Sequence, residues 1–445
     1  MSLRKGQPVT AEILQYALVV QEKLGEGGQG EVYRVTHQDQ QAYALKWYNV
    51  EQSTPEQQKS IRDLVTHGVP RGAAGKRFIW PLDIVTTANS AQFGYLMPLI
   101  DTQRFGELGE IQAHRKPAPS FATLCEISYQ IANSYRTLHL EGYCYRDISA
   151  GNIMFDTQTG ETLICDNDNV GINNSKEGAQ IWGTMEYMAP EVIRGQAKPS
   201  IETDQYSLAI LLFNLWVWHH PMHGEMEYQI YVWDLPAKKR IYGENPVFIF
   251  DPHNRSNQLP ADAEYNTARK RWQYCPPSLQ ALFIRAFTEG LHYPAKRVTE
   301  GEWQDLFLEL KDNVLACPKC HAENLWSAQQ NQVRCWHCQT IIAIPPKLQI
   351  THTKGKHILL LHKGTQLLQR HIQPSSDKTS QVIGEVVQNP NNPTVWGIRN
   401  LTGYNWTATL PNGQIKTVEP QRAAPLSLGL RLDLFAGNAW AEIIN

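Results

Sequence analysis

Three groups of residues in this chain have types and spacings that could do chemistry. The first is Gly25-Glu-Gly27-Gly-Gln-Gly30-Glu-Val32, which fits G-x-G-x-x-G-x-V between two strand-like runs. Glycines there let backbone amides approach a polyphosphate with no Cβ in the way. Taken alone the run fits any glycine-rich hairpin. A dinucleotide fingerprint would open a helix after the glycines, whereas EVYRV continues here as a strand. Lys46 follows sixteen residues after Gly30 in the strand-like AYALK. From there an ammonium can reach α and β phosphates while Ala44 leaves room for a flat base, although Lys46 by itself also reads as a solvated strand lysine.

The second group is Tyr145-Arg146-Asp147-Ile-Ser-Ala-Gly-Asn152, with Asp166 fourteen residues later at a strand end, TLICDND. A carboxylate base, an amide oxygen and a second carboxylate at these spacings suit phosphoryl transfer, which needs a hydroxyl oriented and Mg²⁺ held against phosphates. The third group is Cys317-Pro-Lys-Cys320 and Cys335-Trp-His-Cys338, separated by fourteen residues. Two tight turns that each offer two thiolates suit tetrahedral Zn²⁺, and four soft thiolates select zinc over Mg²⁺ or Ca²⁺. His321 and His337 are alternative ligands, read as surface or outer-sphere residues because the symmetric four-cysteine set is simpler. A redox dithiol pair is the bland alternative, but no thioredoxin-like βαβ unit surrounds these cysteines.

These groups need elements to hold them. Residues 11 to about 100 alternate short apolar runs with turn signals, as an antiparallel sheet interrupted by one polar helix near 55–65. From about 120 the period becomes helical, as in FATLCEISYQIANSYRTLHLEG and DQYSLAILLFNLWVW. Residues 224–274 show no clear period and read as an ordered insertion. After Pro345-Pro346, short strands broken by NPNNP, TGYN and PNGQ fill the tail. The chain has 445 residues with 41 Lys and Arg against 43 Asp and Glu, so no chain-wide footprint for nucleic acid or anionic membrane is expected. The tail from 347 carries ten basic residues against five acidic ones. No apolar run approaches the ~20 residues that span a bilayer, and MSLRKGQPVTAEIL lacks a secretory apolar core. The chain therefore reads as a cytoplasmic protein with no membrane segment.

Together the glycine loop, Lys46, and the Asp147, Asn152 and Asp166 set resemble the eukaryotic-like protein kinases. Further matches follow in order: Gly183-Thr-Met-Glu-Tyr-Met-Ala189-Pro190-Glu191 resembles the end of an activation segment, and Thr203-Asp204-Gln-Tyr-Ser-Leu the opening of the large central helix. The resemblance implies a bilobal α+β kinase fold over 1–312, with an N-lobe of about 11–100 and a C-lobe of about 101–312. It implies that Asp147 is the catalytic base, that Asn152 and Asp166 hold Mg²⁺, and that Lys46 grips the phosphates of ATP. Gly25, Gly27, Gly30, Val32 and Ala44 would line the nucleotide site. Met97 would be the gatekeeper, and Pro98 and Ile100 would present backbone groups to the adenine edge. Arg297 is placed to be the buried partner of Glu191, and Arg146 could receive a phosphate from Ser175 or Thr184, unless Thr184 only contacts the catalytic loop.

The sequence departs from the family in four places. Tyr145 stands where His is usual, Ser149 where serine/threonine kinases commonly have Lys, and Asp166-Asn167-Asp168 where Asp-Phe-Gly is usual. The helix glutamate expected to pair with Lys46 is not identifiable; Glu56 and Asp63 are candidates, each equally readable as a solvated helix residue. Two functions therefore stand side by side: an ATP-dependent kinase acting on protein Ser or Thr, and a nucleotide-binding pseudokinase scaffold.

Residues 313–345 resemble a zinc ribbon whose metal supplies folding energy that so short a segment cannot obtain from a core. Its few basic residues do not favour nucleic acid. Residues 346–445 alternate like an all-β sandwich and resemble a forkhead-associated domain, a phosphothreonine reader. That resemblance implies Arg370 on the phosphate, Ser380 as hydroxyl donor and Asn405 on the peptide backbone. Gln369 replaces the usual Gly, and Ile383 stands where a His is expected, so a sandwich used only for docking is an equal reading. Expected partners are protein substrates and phosphoproteins. Bacterial kinases of this organisation are sometimes encoded with a phosphatase and a von Willebrand A-type protein, which makes a bacterial source the expectation.

Overall fold

The structure is a computed structural model that describes residues 2–88, 90–173, 183–328, 330–352, 355–373, 381–434, 437 and 439–445. The chain divides into two compact units, one of residues 1–275 with 279–304, the other of 276–278 with 305–445. The helix Glu300–Asp312 crosses that division.

The first unit opens with strands β1 (Pro8–Ala11), β2 (Ala17–Gly27), β3 (Gly30–Thr36) and β4 (Ala42–Tyr48). Helix α1 (Pro55–His67) follows, then β5 (Asp83–Thr86) and β6 (Gly94–Pro98). The six strands close into a barrel in the order β1-β2-β3-β4-β6-β5, which leaves no unpaired edge. Closure depends on β1, which pairs with both β2 and β5. Its alternating Val9 and Ala11 are buried with Leu18, Val35, Leu45 and Leu96. Helix α1 starts where Thr54 accepts the Gln57 amide (3.1 Å) and Pro55 supplies a pre-set φ. It ends at Gly68, whose φ of 78° suits glycine. Phe78 to Pro81 lies outside any strand, and the chain joins the sheet only at Asp83–Thr86.

The larger part of this unit is helical. It contains α2 (Leu108–Gln112), α3 (Phe121–Leu140), the strands β7 (Tyr143–Cys144), β8 (Ile153–Phe155), β9 (Thr162–Ile164) and β10 (Gly171–Ile172), then α4 (Pro190–Ile193) and α5 (Ile201–Val217). Helix α5 is buried almost all round, as a helix at the centre of a packed lobe must be. The stretch without a clear period resolves into short helices, Glu225–Tyr228, Leu235–Lys239 and Asn266–Tyr274, with a π turn at Arg240–Glu244. Segments this short give no sustained 3.6-residue period to read.

In the second unit two small hairpins, Leu315–Ala316 with Glu323–Asn324 and Val333–Arg334 with Ile341–Ile342, precede two antiparallel sheets. One sheet has six strands and the other four. Leu348, Ile350, Ile398, Trp406, Leu432 and Ile443 form their shared core. Among the described residues no helix is long and apolar enough to cross a membrane.

Candidate active site

The glycine run is the β2–β3 turn, with Gly27 opposite Gly30 and Gly28-Gln29 between them. The glycines differ in what they are for. A Cβ on Gly25, Gly27 or Gly28 would meet nothing within 4 Å, whereas one on Gly30 would lie 2.2 Å from the Trp47 carbonyl oxygen. Gly30 is thus required by strand packing, and the others leave backbone open to a ligand. Register then aligns the remaining cleft residues. Val32 pairs with Lys46, and Ala44 pairs with Met97, with Pro98 next along β6 and Ile100 just beyond it.

Lys46 is buried, and its ammonium is surrounded by oxygen. It donates to Gln29 Oε1 (2.6 Å), to Asp168 Oδ2 (2.8 Å) and to Asp166 Oδ1. Burial opposes its charge, but Asp168 and then Asp166 hold its pKa above the usual value. Burial and the Asp168 charge push Asp166 up to about 6 against the pull of Lys46. Burial also opposes ionisation of Asp168, yet Lys46 and the Tyr48 hydroxyl hold it below the usual carboxylate range. Neither Glu56 nor Asp63 reaches Lys46; both lie on the exposed side of α1. Helix α1 joins the cluster by a different route, since Gln57 Nε2 donates to Tyr48 Oη (3.1 Å) and Tyr48 donates to Asp168.

The catalytic loop is held by backbone contacts. Arg146 takes a φ of 74°, an unfavourable region for a side chain, and Asp204 fixes it by accepting the amides of Tyr145 (2.5 Å) and Arg146 (3.0 Å). Asp204 in turn meets His139 Nε2 (3.1 Å), and His139 Nδ1 meets Glu300 (2.8 Å). Tyr145 packs edge-on against Tyr135, and its hydroxyl donates to the carbonyls of Cys165 and Asp166. It therefore ties the loop to the Cys165-Asp166 segment as well as filling space.

Asn152 donates its amide nitrogen to the Asp147 carbonyl (2.9 Å), and its own carbonyl accepts the Cys165 amide (2.8 Å). The side-chain amide oxygen is an acceptor not engaged by either bond. Thr184 donates both its amide and its hydroxyl to Asp147 Oδ1 (2.9 Å each), so it contacts the catalytic loop. Gly183 permits that approach, because a Cβ there would lie 2.6 Å from the Arg146 carbonyl oxygen. Ser149 is buried, and Ser175 lies outside the described residues. Arg297, 4% exposed, pairs with Glu191 at 2.8 Å and donates to the carbonyls of Glu202 (2.8 Å) and Gly290 (3.1 Å). Beside the loop, a cavity of about 470 Å³ is lined by Glu107, Gln112, Gly151, Tyr187, Asn214 and His219 among others.

In the second unit the four cysteine sulfurs converge within 4.8 Å, with Cys317–Cys338 at 3.5 Å and Cys320–Cys335 at 3.6 Å. Zn–S bonds of ~2.3 Å in a tetrahedron place sulfurs ~3.8 Å apart, so the quartet suits that ion. Each knuckle repeats one geometry: Cys317 accepts the His321 amide and Cys335 the Gln339 amide, with His321 and Gln339 both left-handed. His321 and His337 are exposed.

Arg370 lies in the short helix Gln369–Ile372 and donates to Asp312 Oδ1 (2.5 Å). Asn405 is exposed, and Ser380 lies outside the described residues. Sequence reasoning missed Gln29, Tyr48 and Asp168. Tyr48 had a readable signal, being two residues from Lys46 on one strand and hence on its face.

A barrel lobe, a helical lobe and a lysine–carboxylate cleft between a glycine hairpin and an Arg-Asp loop define a nucleotide-dependent phosphotransferase architecture. A model of the protein kinase domain matches residues 18–283, more than half the chain, and the chain belongs to that family. It is similar to mouse protein kinase C delta type, 33% identical over 96 residues, 21% of this chain and 14% of that protein. It is also similar to the serine/threonine-protein kinase sck2 of Schizosaccharomyces pombe, 26% identical over 223 residues, 47% and 32% of the two chains. The cell cycle serine/threonine-protein kinase CDC5/MSD2 of Saccharomyces cerevisiae is 24% identical over 245 residues, 51% and 32%. The chain spans a third or less of the length of these relatives.

Proposed function

We propose that this chain is an ATP- and Mg²⁺-dependent protein kinase that transfers the γ-phosphoryl group to Ser or Thr of protein substrates. The observation that carries the reading is the survival together of Lys46, Asp147, Asn152 and Asp166, each held by its own set of contacts. The β2–β3 glycines admit the phosphates, and Lys46 grips them. Asp147 accepts the proton of the acceptor hydroxyl as its oxygen attacks the γ-phosphorus and the bond to ADP breaks. Asp166 and the Asn152 amide oxygen suit a hard cation, which when bound would neutralise charge on the phosphates. The cavity lined by Ala150, Gly151 and Tyr187 gives a protein segment a place to lie against the catalytic loop.

The cysteine quartet is read as a structural zinc ribbon, and the sheets that follow as a docking sandwich. Commitment of Arg370 to Asp312 favours docking over phosphothreonine reading, so phosphoprotein partners would be recognised by other means. Ser149 and the Asp-Asn-Asp segment keep the scaffold reading as the alternative. Phosphosite mass spectrometry after incubation with Mg-ATP and a mixed protein acceptor tests the proposal. Phosphoserine and phosphothreonine are expected, and phosphate on tyrosine alone, or on nothing, counts against it.

A further inference from the structure

We infer that Asp168 is the positioning residue for Lys46, in the place that a carboxylate on the first helix would hold. The inference rests on reading the cleft as a kinase site but not on its turnover. Its first support is geometry: Asp168 Oδ2 lies 2.8 Å from Lys46 Nζ, with the Asp168 side chain at 0% exposure. A carboxylate so buried persists only if paired, and Lys46 is its ammonium partner. Asp166 also touches Lys46, but it is the carboxylate suited to metal and its side chain is 31% exposed.

The second support is how the segment is held. Asn167, at the position of the usual phenylalanine, is buried and donates its amide to the carbonyls of Ile79 and Ile164, both at 2.9 Å. Asp166 itself is left-handed, with φ of 55°, and opens a turn over Asn167–Asn169. That turn brings the carboxylates of residues 166 and 168 to one ammonium. A phenylalanine could make no such bonds and a glycine would offer no carboxylate, so the two departures act together. One pins the segment and the other uses it to hold Lys46.

The third support lies on the other side of Asp168. Tyr48 donates to the same Oδ2, and Gln57 of α1 donates to Tyr48. Helix α1 thereby reaches Lys46 through a neutral relay, with no ion pair of its own. Displacing α1 would remove a hydrogen bond from the cluster and leave the charge partner of Lys46 in place. Asp168 Oδ1 is buried with no hydrogen-bond partner among the described residues, so its attachment is one-sided, through Oδ2.

The test compares Asp168→Asn, Asp168→Glu and Tyr48→Phe with wild type in the full chain. kcat and KM for Mg-ATP are measured with a protein acceptor, and calorimetry gives Kd for a non-hydrolysable ATP analogue and for adenosine. Because misplacing a catalytic group by about 1 Å can cost about a hundredfold, Asp168→Asn is expected to lower kcat by about tenfold to a hundredfold. It should weaken the triphosphate analogue while leaving adenosine within about twofold. Asp168→Glu should recover part of the loss, and Tyr48→Phe should show a smaller one in the same direction. The inference is overturned if Asp168→Asn keeps wild-type kcat. Equal loss of adenosine and triphosphate binding would overturn it too, because that is collapse of the site, as would full recovery at higher Mg²⁺, because that is a metal ligand. If wild type shows no turnover, the kinase proposal fails alone, and the contrast between triphosphate and adenosine still decides the role of Asp168.

Discussion

Arg297→Met removes every side-chain donor of Arg297 while keeping a long side chain against Tyr206, whose ring lies 5.4 Å from the guanidinium carbon. Three contacts vanish: the ion pair to Glu191 and the bonds to the Glu202 and Gly290 carbonyls. Breaking a buried pair by deleting one partner costs ~3–5 kcal/mol, because the other charge is left unpaired. Glu191 keeps 16% of its side-chain surface, so water relieves some of that penalty and the lower end, about 3 kcal/mol, is expected. At ~2–4 °C per kcal/mol for a domain of this size, the first unit should lose about 6–12 °C in Tm. Circular dichroism melts of wild type, Arg297→Met, Glu191→Gln and the double variant measure this. The double variant should be less destabilised than the two singles added, by ~1–3 kcal/mol. A Tm for Arg297→Met within about 2 °C of wild type, or strict additivity, would mean that the Arg297–Glu191 pair does not stabilise this unit.

Two further outcomes follow from the geometry. Burial would lower the pKa of His139, but its bonds to Asp204 and Glu300 raise it to about 9. A raised histidine stabilises fully below its unfolded pKa of ~6.5 and loses that contribution as pH climbs through 9, here about 3 kcal/mol. The urea midpoint should fall between pH 6.5 and 9.5, and His139→Gln should flatten that slope; an unchanged slope contradicts the assignment. Metal analysis of the full chain should find one zinc, and Cys335→Ser should abolish it and raise amide exchange across 313–345. A metal-free chain with full protection there contradicts the ribbon.

The glycine loop, Lys46 and the Arg-Asp loop were legible because their chemistry is written in contiguous residue types. The partner of Lys46 was not. Asp166-Asn167-Asp168 read as the loss of a phenylalanine and a glycine, whereas the structure shows a gained carboxylate and a gained amide anchor. A left-handed residue at 166 creates that juxtaposition, and no residue type there announces it. Strand β1 escaped because four residues carry too little period, yet its pairing with β5 closes the barrel. Arg370 shows the opposite limit: a tail arginine suits phosphate on paper, and its neighbour Asp312 is 58 residues away in sequence.

The most direct measurement is transfer of labelled γ-phosphate from Mg-ATP to a protein acceptor by wild type and by Asp147→Asn, each shown to be folded. Loss of a general base costs ~10²–10⁴-fold, so wild type should incorporate label well above background on Ser or Thr, and Asp147→Asn at least about a hundredfold less. Equal, background-level incorporation by both proteins would contradict the kinase account and leave the nucleotide-binding scaffold in its place.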